Sequence, residues 1–361
     1  MECVTDHVKT YSKALPFQQI RHYKAVWDNS FNLPKGWLKA IVGYQQNQRQ
    51  EFEESEDEYE LYFKLHTITY DLRYLSQEFS GWKLAGGLNG MWQQSQNLGE
   101  ESLIPEYKLF DIGGYATISK AMDNLTLNGG LRYDNRHINF HSRNFGSISG
   151  SIGAVWNLCQ HTNLRLNLAR GFRAPNMSEL GSDGVHEGTL RYEIGNPNLK
   201  PEYSWQADLG IDFSSEMISA QVALFANRIE NYIFAKRIDM IMEEGFRTYE
   251  YTQGDARLLG FEAGFDFHPI HSIHFGNTFS FVDARQLHAD KDSKYLPMTP
   301  APRWTSELKY EITHHGHTIL NNAFVAIGLE CNLAQNHYYK VDERRPPHRV
   351  TPCSVSQQVP T

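Results

Sequence analysis

Leu125-Thr-Leu-Asn-Gly-Gly-Leu-Arg-Tyr133 decides the fold. Leu125, Leu127, Gly129, Leu131 and Tyr133 occupy the odd positions, and Thr126, Asn128, Gly130 and Arg132 the even ones. A β-strand turns successive side chains to opposite faces, so this spelling predicts a strand that is apolar on one side and polar on the other. The rhythm recurs. Leu164, Leu166 and Leu168 alternate with Asn163, Arg165 and Asn167; Trp205, Ala207, Leu209, Ile211 and Phe213 with Gln206, Asp208, Gly210 and Asp212; Leu259, Phe261, Ala263, Phe265 and Phe267 with Gly260, Glu262, Gly264 and Asp266.

A soluble β-sandwich alternates too, but three features favour a barrel in a membrane. The alternating runs reach about ten residues, the length that crosses a tilted bilayer path and more than the usual five or six of globular strands. The polar side carries charges in strand after strand, which a dry core tolerates only in pairs and a hydrated lumen accepts. Short connections near residues 33–36, 77–81, 123–124, 159–162, 214–216, 269–272 and 314–316 alternate with long irregular stretches at 135–146, 171–203, 228–256 and 283–302. Short turns on one rim and long loops on the other belong to outer-membrane barrels. The expectation is an all-β, antiparallel transmembrane β-barrel, incomplete, with about fourteen strands counted as seven hairpins.

Composition agrees. No stretch approaches the roughly 18 consecutive apolar residues of a membrane helix. Yet 19 Tyr, 20 Phe and 7 Trp in 361 residues suit the aromatic girdles of a barrel. With 34 basic against 42 acidic residues, the net charge of −8 argues against a nucleic-acid partner. Cys3, Cys159, Cys331 and Cys353 are too scattered for a zinc ribbon or a dense disulfide framework. The acidic run 51–60 (EFEESEDEYE) reads as a solvated loop or strand-end patch rather than a metal site. The sequence contains no Gly-x-Ser-x-Gly, no phosphate-cradling loop and no His-Glu-x-x-His, so an enzyme is not expected.

The segment 171–202, GFRAPNMSELGSDGVHEGTLRYEIGNPNLKPE, supplies a family. It resembles the signature region of TonB-dependent outer-membrane receptors, in which an Arg-Gly-Phe-Arg-Ala-Pro box leaves a strand, a Glu-Leu follows, and an Asn-Pro-x-Leu-Lys-Pro-Glu box enters the next strand. The matching residues are Arg170, Phe172, Arg173 and Pro175, then Glu179, then Asn196, Pro197, Leu199, Pro201 and Glu202. The stretches 225–233 (FANRIENYI), 256–262 (ARLLGFE) and 296–303 (LPMTPAPR) are similar to further strands and a Pro-rich loop of the family. The resemblance implies a cell outer-membrane receptor, contacting outer-membrane lipid, that captures a small extracellular ligand for TonB-energised uptake. A passive porin-like channel is the alternative, and a soluble β-rich binding domain a third reading.

The boxes themselves are expected to be structural. Pro175 and Pro201 lack a backbone donor and suit strand ends, while Arg170 and Arg173 are expected to pair with acidic groups at the outer mouth. His186 and Glu187, in Gly-Val-His-Glu-Gly between the boxes, are the candidate ligand-binding residues. Haem-receptor relatives are similar in placing a histidine there, and zinc-receptor relatives resemble the Val-His-Glu-Gly stretch. The resemblance thus implies haem, siderophore-iron or zinc as transported ligand, with His186 as the candidate metal ligand and no resident cofactor.

The ends depart from the family. Strand grammar begins within about twenty residues of Met1, with no plug domain and no TonB-gripping segment before it, so contact with TonB is expected only through parts preceding this chain. Residues 1–342 are expected to form the partial barrel, one part of a family architecture of roughly twenty-two strands. Residues 343–361 hold four prolines and are expected to be an aberrant tail outside the barrel, the product of a shifted reading frame.

Overall fold

The computed structural model describes residues 15–52, 55–100, 102–186, 191–241, 245–312, 323–341 and 349–356. They form one antiparallel meander. In chain order the strands are β1 (Phe17–Leu33), β2 (Gly36–Phe52), β3 (Leu61–Ser76), β4 (Trp82–Asn97), β5 (Tyr107–Ala121), β6 (Leu125–Ile138), β7 (Arg143–Cys159) and β8 (Thr162–Arg173). Two short strands follow, β9 (Asp183–His186) and β10 (Arg191–Ile194). The meander resumes with β11 (Glu202–Ser214), β12 (Ile218–Ile241), β13 (Arg247–Ile270), β14 (Ile273–Gln286), β15 (Arg303–Ile312), β16 (Ala323–Asn332) and β17 (Arg349–Ser356). Each long strand pairs with the next, β8 pairs with β11 across the excursion that holds β9 and β10, and β1 and β17 each have one described neighbour.

All four alternating runs lie inside strands, and their apolar sides face outward uncovered. Leu131 is 69% exposed, Ile152 65% and Ile148 62%, and Leu127, Trp156, Leu166, Leu168, Trp205 and Leu224 join them. No second sheet covers this belt among the described residues, which leaves an apolar surface of the kind that β-barrels of outer membranes turn to lipid. The opposite face is polar and paired. Arg136 grips Asp111 through two hydrogen bonds of 2.7 and 2.6 Å. Arg132 holds Asp134 and also donates to Asn89 Oδ1 at 2.7 Å.

The six short turns that fall on described residues are found as expected; the one near 314–316 lies outside them. The long segments differ. Residues 135–146 were expected to be irregular, but β6 runs to Ile138 and β7 starts at Arg143, joined by a 3-10 turn at Phe140–Ser142. Most of 228–256 is likewise strand, because β12 and β13 are 24 residues each. The aromatic and β-branched run Tyr232-Ile233-Phe234 sustains pairing, and the ladder shifts register at two places, between Ile229 and Tyr232 and between Arg237 and Ile241, instead of breaking. Asn231 sits in the first of these shifts at φ 57°, a left-handed conformation that asparagine adopts more readily than most residues.

The hairpin count of fourteen falls one short of the fifteen long strands among the described residues, and the extra one is β17, where residues 349–356 pair with β16. Proline is excluded from central ladders, but β17 has a described partner on one side only. Pro352 falls at the register shift between the pairs Gly328↔Ser354 and Glu330↔Thr351, where the ladder asks for no donor.

Candidate functional site

Above the belt, at the long-loop rim, the two sequence boxes close on one another. Strand β8 ends at Arg173 and β11 begins at Glu202, and these two residues are register partners. The Arg173 guanidinium forks onto Glu202, Nε to Oε2 at 2.8 Å and Nη2 to Oε1 at 2.6 Å. Its Nη1 reaches both carboxylate oxygens of Glu179, at 2.8 and 2.9 Å. One cation thus joins two carboxylates whose side chains are each only 11% exposed. Glu202 Oε1 also accepts from the backbone N–H of Ile233, which ties the hub to β12.

Glu179 belongs to a short helix, α1 (Met177–Gly181), that the sequence reading did not anticipate. Its start is a reciprocal cap: Asn176 Oδ1 accepts from Glu179 N at 2.8 Å, and Glu179 Oε2 accepts from Asn176 N at 2.9 Å. Asn-x-x-Glu is the usual spelling of such a cap and stood in the sequence. Leu180 on this helix is fully buried, with Leu199 of the second box, Met177, Ala174, Ile138 and Phe145 around it. Pro175 is buried as well. Gly195 lies so close beneath the helix end that an added Cβ would stand 2.4 Å from Gly181 N, so only glycine fits there.

The second box is held through its backbone. Arg143 donates to the carbonyls of Pro197 and Leu199. Asn196 N donates to Glu179 O, and Asn196 Oδ1 accepts from Asn198 N. Pro201 lacks a donor but its carbonyl accepts from the Asn231 amide at 3.2 Å. Arg173 therefore meets acidic groups as expected, whereas Arg170 does not. Arg170 donates to Ile148 O and Ser147 Oγ and lies 4.8 Å from the centre of the Tyr203 ring. The reason is register: Arg170 faces Trp205 on β11, three residues below Glu202. Phe172 packs near Tyr203, with ring centroids 6.0 Å apart.

Between the boxes, β9 and β10 form a small hairpin with His186 opposite Arg191. It is anchored rather than loose, because β10 pairs in parallel with β13 from Arg191↔Arg247 to Ile194↔Glu250. Arg191 Nε donates to Glu193 Oε1 at 2.8 Å, and Tyr251 Oη donates to Glu193 Oε2 at 3.2 Å. On this outer extension of β13, burial pushes the Tyr251 phenol up to about 12, and the Glu193 carboxylate adds to the effect. Glu187 lies outside the described residues, as does the His186 side chain; the backbone of His186 is at the hairpin's tip.

Beneath the hub lies a concavity of about 630 Å3 on the inner face, lined by Asp71, Asn89, Asp111, Arg132, Arg136 and Phe172 among others. Its charges are paired within the wall, so a ligand there meets a polar surface with little net charge. The arrangement offers a rigid outer rim over a hydrated interior, a geometry suited to holding and passing a polar solute.

Comparison with known proteins agrees with this architecture. Residues 7–347 match the family described as TonB dependent receptor-like, beta-barrel. The iron-regulated outer membrane virulence protein of Vibrio cholerae serotype O1 is 24% identical over 182 residues, covering 48% of this chain and 28% of that protein. The ferric enterobactin receptor of Pseudomonas aeruginosa is 31% identical over 121 residues, covering 31% and 16%. Among solved structures, the copper transporter OprC superposes with TM-score 0.69 at 16% identity, covering 89% of this chain and 52% of that one. The FrpB iron transporter from Neisseria meningitidis gives TM-score 0.69 at 14% identity, covering 94% and 56%. The chain thus spans about half the length of these solved relatives, and a smaller share of the curated ones is matched.

Proposed function

The chain belongs to the TonB-dependent receptor-like β-barrel family, and on that premise we propose that it forms the wall and outer rim of a receptor that captures a scarce nutrient, a metal chelate, haem or a metal ion, for uptake energised by TonB. Its place is the outer membrane, and like its relatives it is not an enzyme. The observation that carries the reading is the rim assembly. A buried core, a three-residue charge hub and pairing on β13 hold α1, β9 and β10, between the two boxes, above a polar interior. Such preorganisation lowers the ordering cost of binding.

His186 and Glu187 are the residues proposed to touch the ligand. A neutral imidazole at a hairpin tip ligates haem iron or zinc, and a neighbouring carboxylate adds an oxygen donor. Relatives named for ferric enterobactin and for copper support a metal-containing ligand without choosing its form. The test is titration of the chain, purified in detergent, with haem, ferric enterobactin and Zn2+, comparing parent with His186→Ala. Binding of one of the three by the parent, weakened in the variant, is expected. If none binds, and the chain conducts ions in planar bilayers without an energy source, a passive pore replaces the receptor.

A further inference from the structure

At the opposite, short-turn rim the sequence 268–274 reads His-Pro-Ile-His-Ser-Ile-His, three histidines around the tight turn between β13 and β14. Asp266 and His268, two apart on β13, share the inner face with Glu262 and Gly264, because Phe265 and Phe267 face outward. His274 comes from β14 across the turn. Donor atoms of Asp266, His268 and His274 all lie within 4.8 Å of one another. We propose that these three side chains form a binding site for a divalent transition cation of the zinc class on the inner wall at this rim.

The geometry is close to what such an ion requires. Zinc binds nitrogen and oxygen at about 2.0–2.2 Å in a tetrahedron, which sets neighbouring donors roughly 3.4 Å apart. The pair His268 Nδ1 and Asp266 Oδ1 is already at 2.9 Å. The remaining closure is a little over an ångström, within reach of χ rotations at partly exposed side chains. His274 supplies the second observation. Its Nε2 is shielded from solvent and makes no hydrogen bond; the nearest acidic oxygen, Glu311 Oε1 on β15, is 3.6 Å away. A shielded imidazole nitrogen with no hydrogen bond is an unmet donor or acceptor, and a metal satisfies it.

The donor set selects the ion. Two imidazoles with one carboxylate favour zinc, nickel, copper or ferrous iron, whereas calcium and magnesium prefer all-oxygen cages. Lys309 Nζ already contacts Glu311 Oε1 at 2.5 Å, so Glu311 is neutralised and placed beside the site rather than within it. A fourth position is left for water or for His271, which lies on the turn itself. The site is on β13 and β14, far along the strands from His186, and does not depend on ligand capture at the outer rim.

The test uses the full chain folded in detergent, with Zn2+ alone in competition with a chromophoric chelator and Co2+ alone as a spectroscopic probe. One equivalent is expected to bind the parent, with cobalt absorption of a low-symmetry nitrogen and oxygen site. His268→Ala and His274→Gln should each weaken binding about tenfold or more, while their heat-modifiable gel migration stays that of the parent. A second measurement needs no variant: acylation of histidines in the parent, mapped by mass spectrometry, should be suppressed by Zn2+ at His268 and His274. No binding by the folded parent, unchanged affinity in the double variant, or protection confined to other histidines would overturn the site.

Discussion

The wall around β5 to β8 and the rim assembly above it are built from the same alternating strands, yet they store stability in opposite places. In the wall the large apolar side chains, Leu131, Ile148 and Ile152, are the exposed ones, and the charges of Asp111, Arg132, Asp134 and Arg136 face inward in pairs. At the rim the order is inverted. Leu180, Leu199 and Ile138 are buried under a short helix, and the ion hub of Arg173, Glu179 and Glu202 links strand ends. A wall of this kind is stabilised by lipid and the ladder, whereas a rim must carry its own small core, because above the bilayer it is surrounded by water.

Substitutions separate the two. Leu180→Ala should have the largest effect, about 2–5 kcal/mol for deleting a fully buried leucine. It should appear as loss of protease resistance in 174–201 while the strands remain folded by circular dichroism; loss of the whole barrel together with the rim would erase the distinction. Leu131→Arg should cost about 2–4 kcal/mol in lipid, and Asn128→Arg, on the inner face of the same strand, about 1 kcal/mol or less. Urea titration in liposomes compares them, and equal costs would mean that the exposed leucines do not meet lipid.

Arg173→Met leaves two shielded carboxylates without their cation, a loss of roughly 1–3 kcal/mol for an unpaired charged group, toward the lower end because the arginine is itself 42% exposed. Assembly yield and rim proteolysis should suffer first. A variant that assembles normally yet takes up no ligand would move Arg173 from scaffolding to capture. Asn176→Ala should be the mildest, about 1 kcal/mol for a lost helix cap, read as a small drop in the thermal midpoint of rim proteolysis and none in that of the barrel.

These contrasts explain what was legible beforehand. Period two at Leu125–Tyr133 is spelled residue by residue, so the strands and their faces could be read directly. The pairing of Arg173 with acid was readable from the boxes, but the partner of Arg170 depends on a register that no local pattern encodes. The stretches 135–146 and 228–256 read as loops because their alternation is irregular, although pairing persists across register shifts that a single strand does not announce. The Asn176 to Glu179 cap and the His268, His271, His274 run were present as spellings. Each needed attention to spacing within a turn rather than along a strand.

One last consequence concerns β13. A single unbroken strand reaches from Thr248, beside the hairpin that carries His186, to His268 at the far rim, twenty residue steps and thus roughly 65 Å at the usual rise. A stretched peptide chain hardly lengthens under load, so a tug on the outer hairpin is borne along this one tie rod instead of being absorbed by slack.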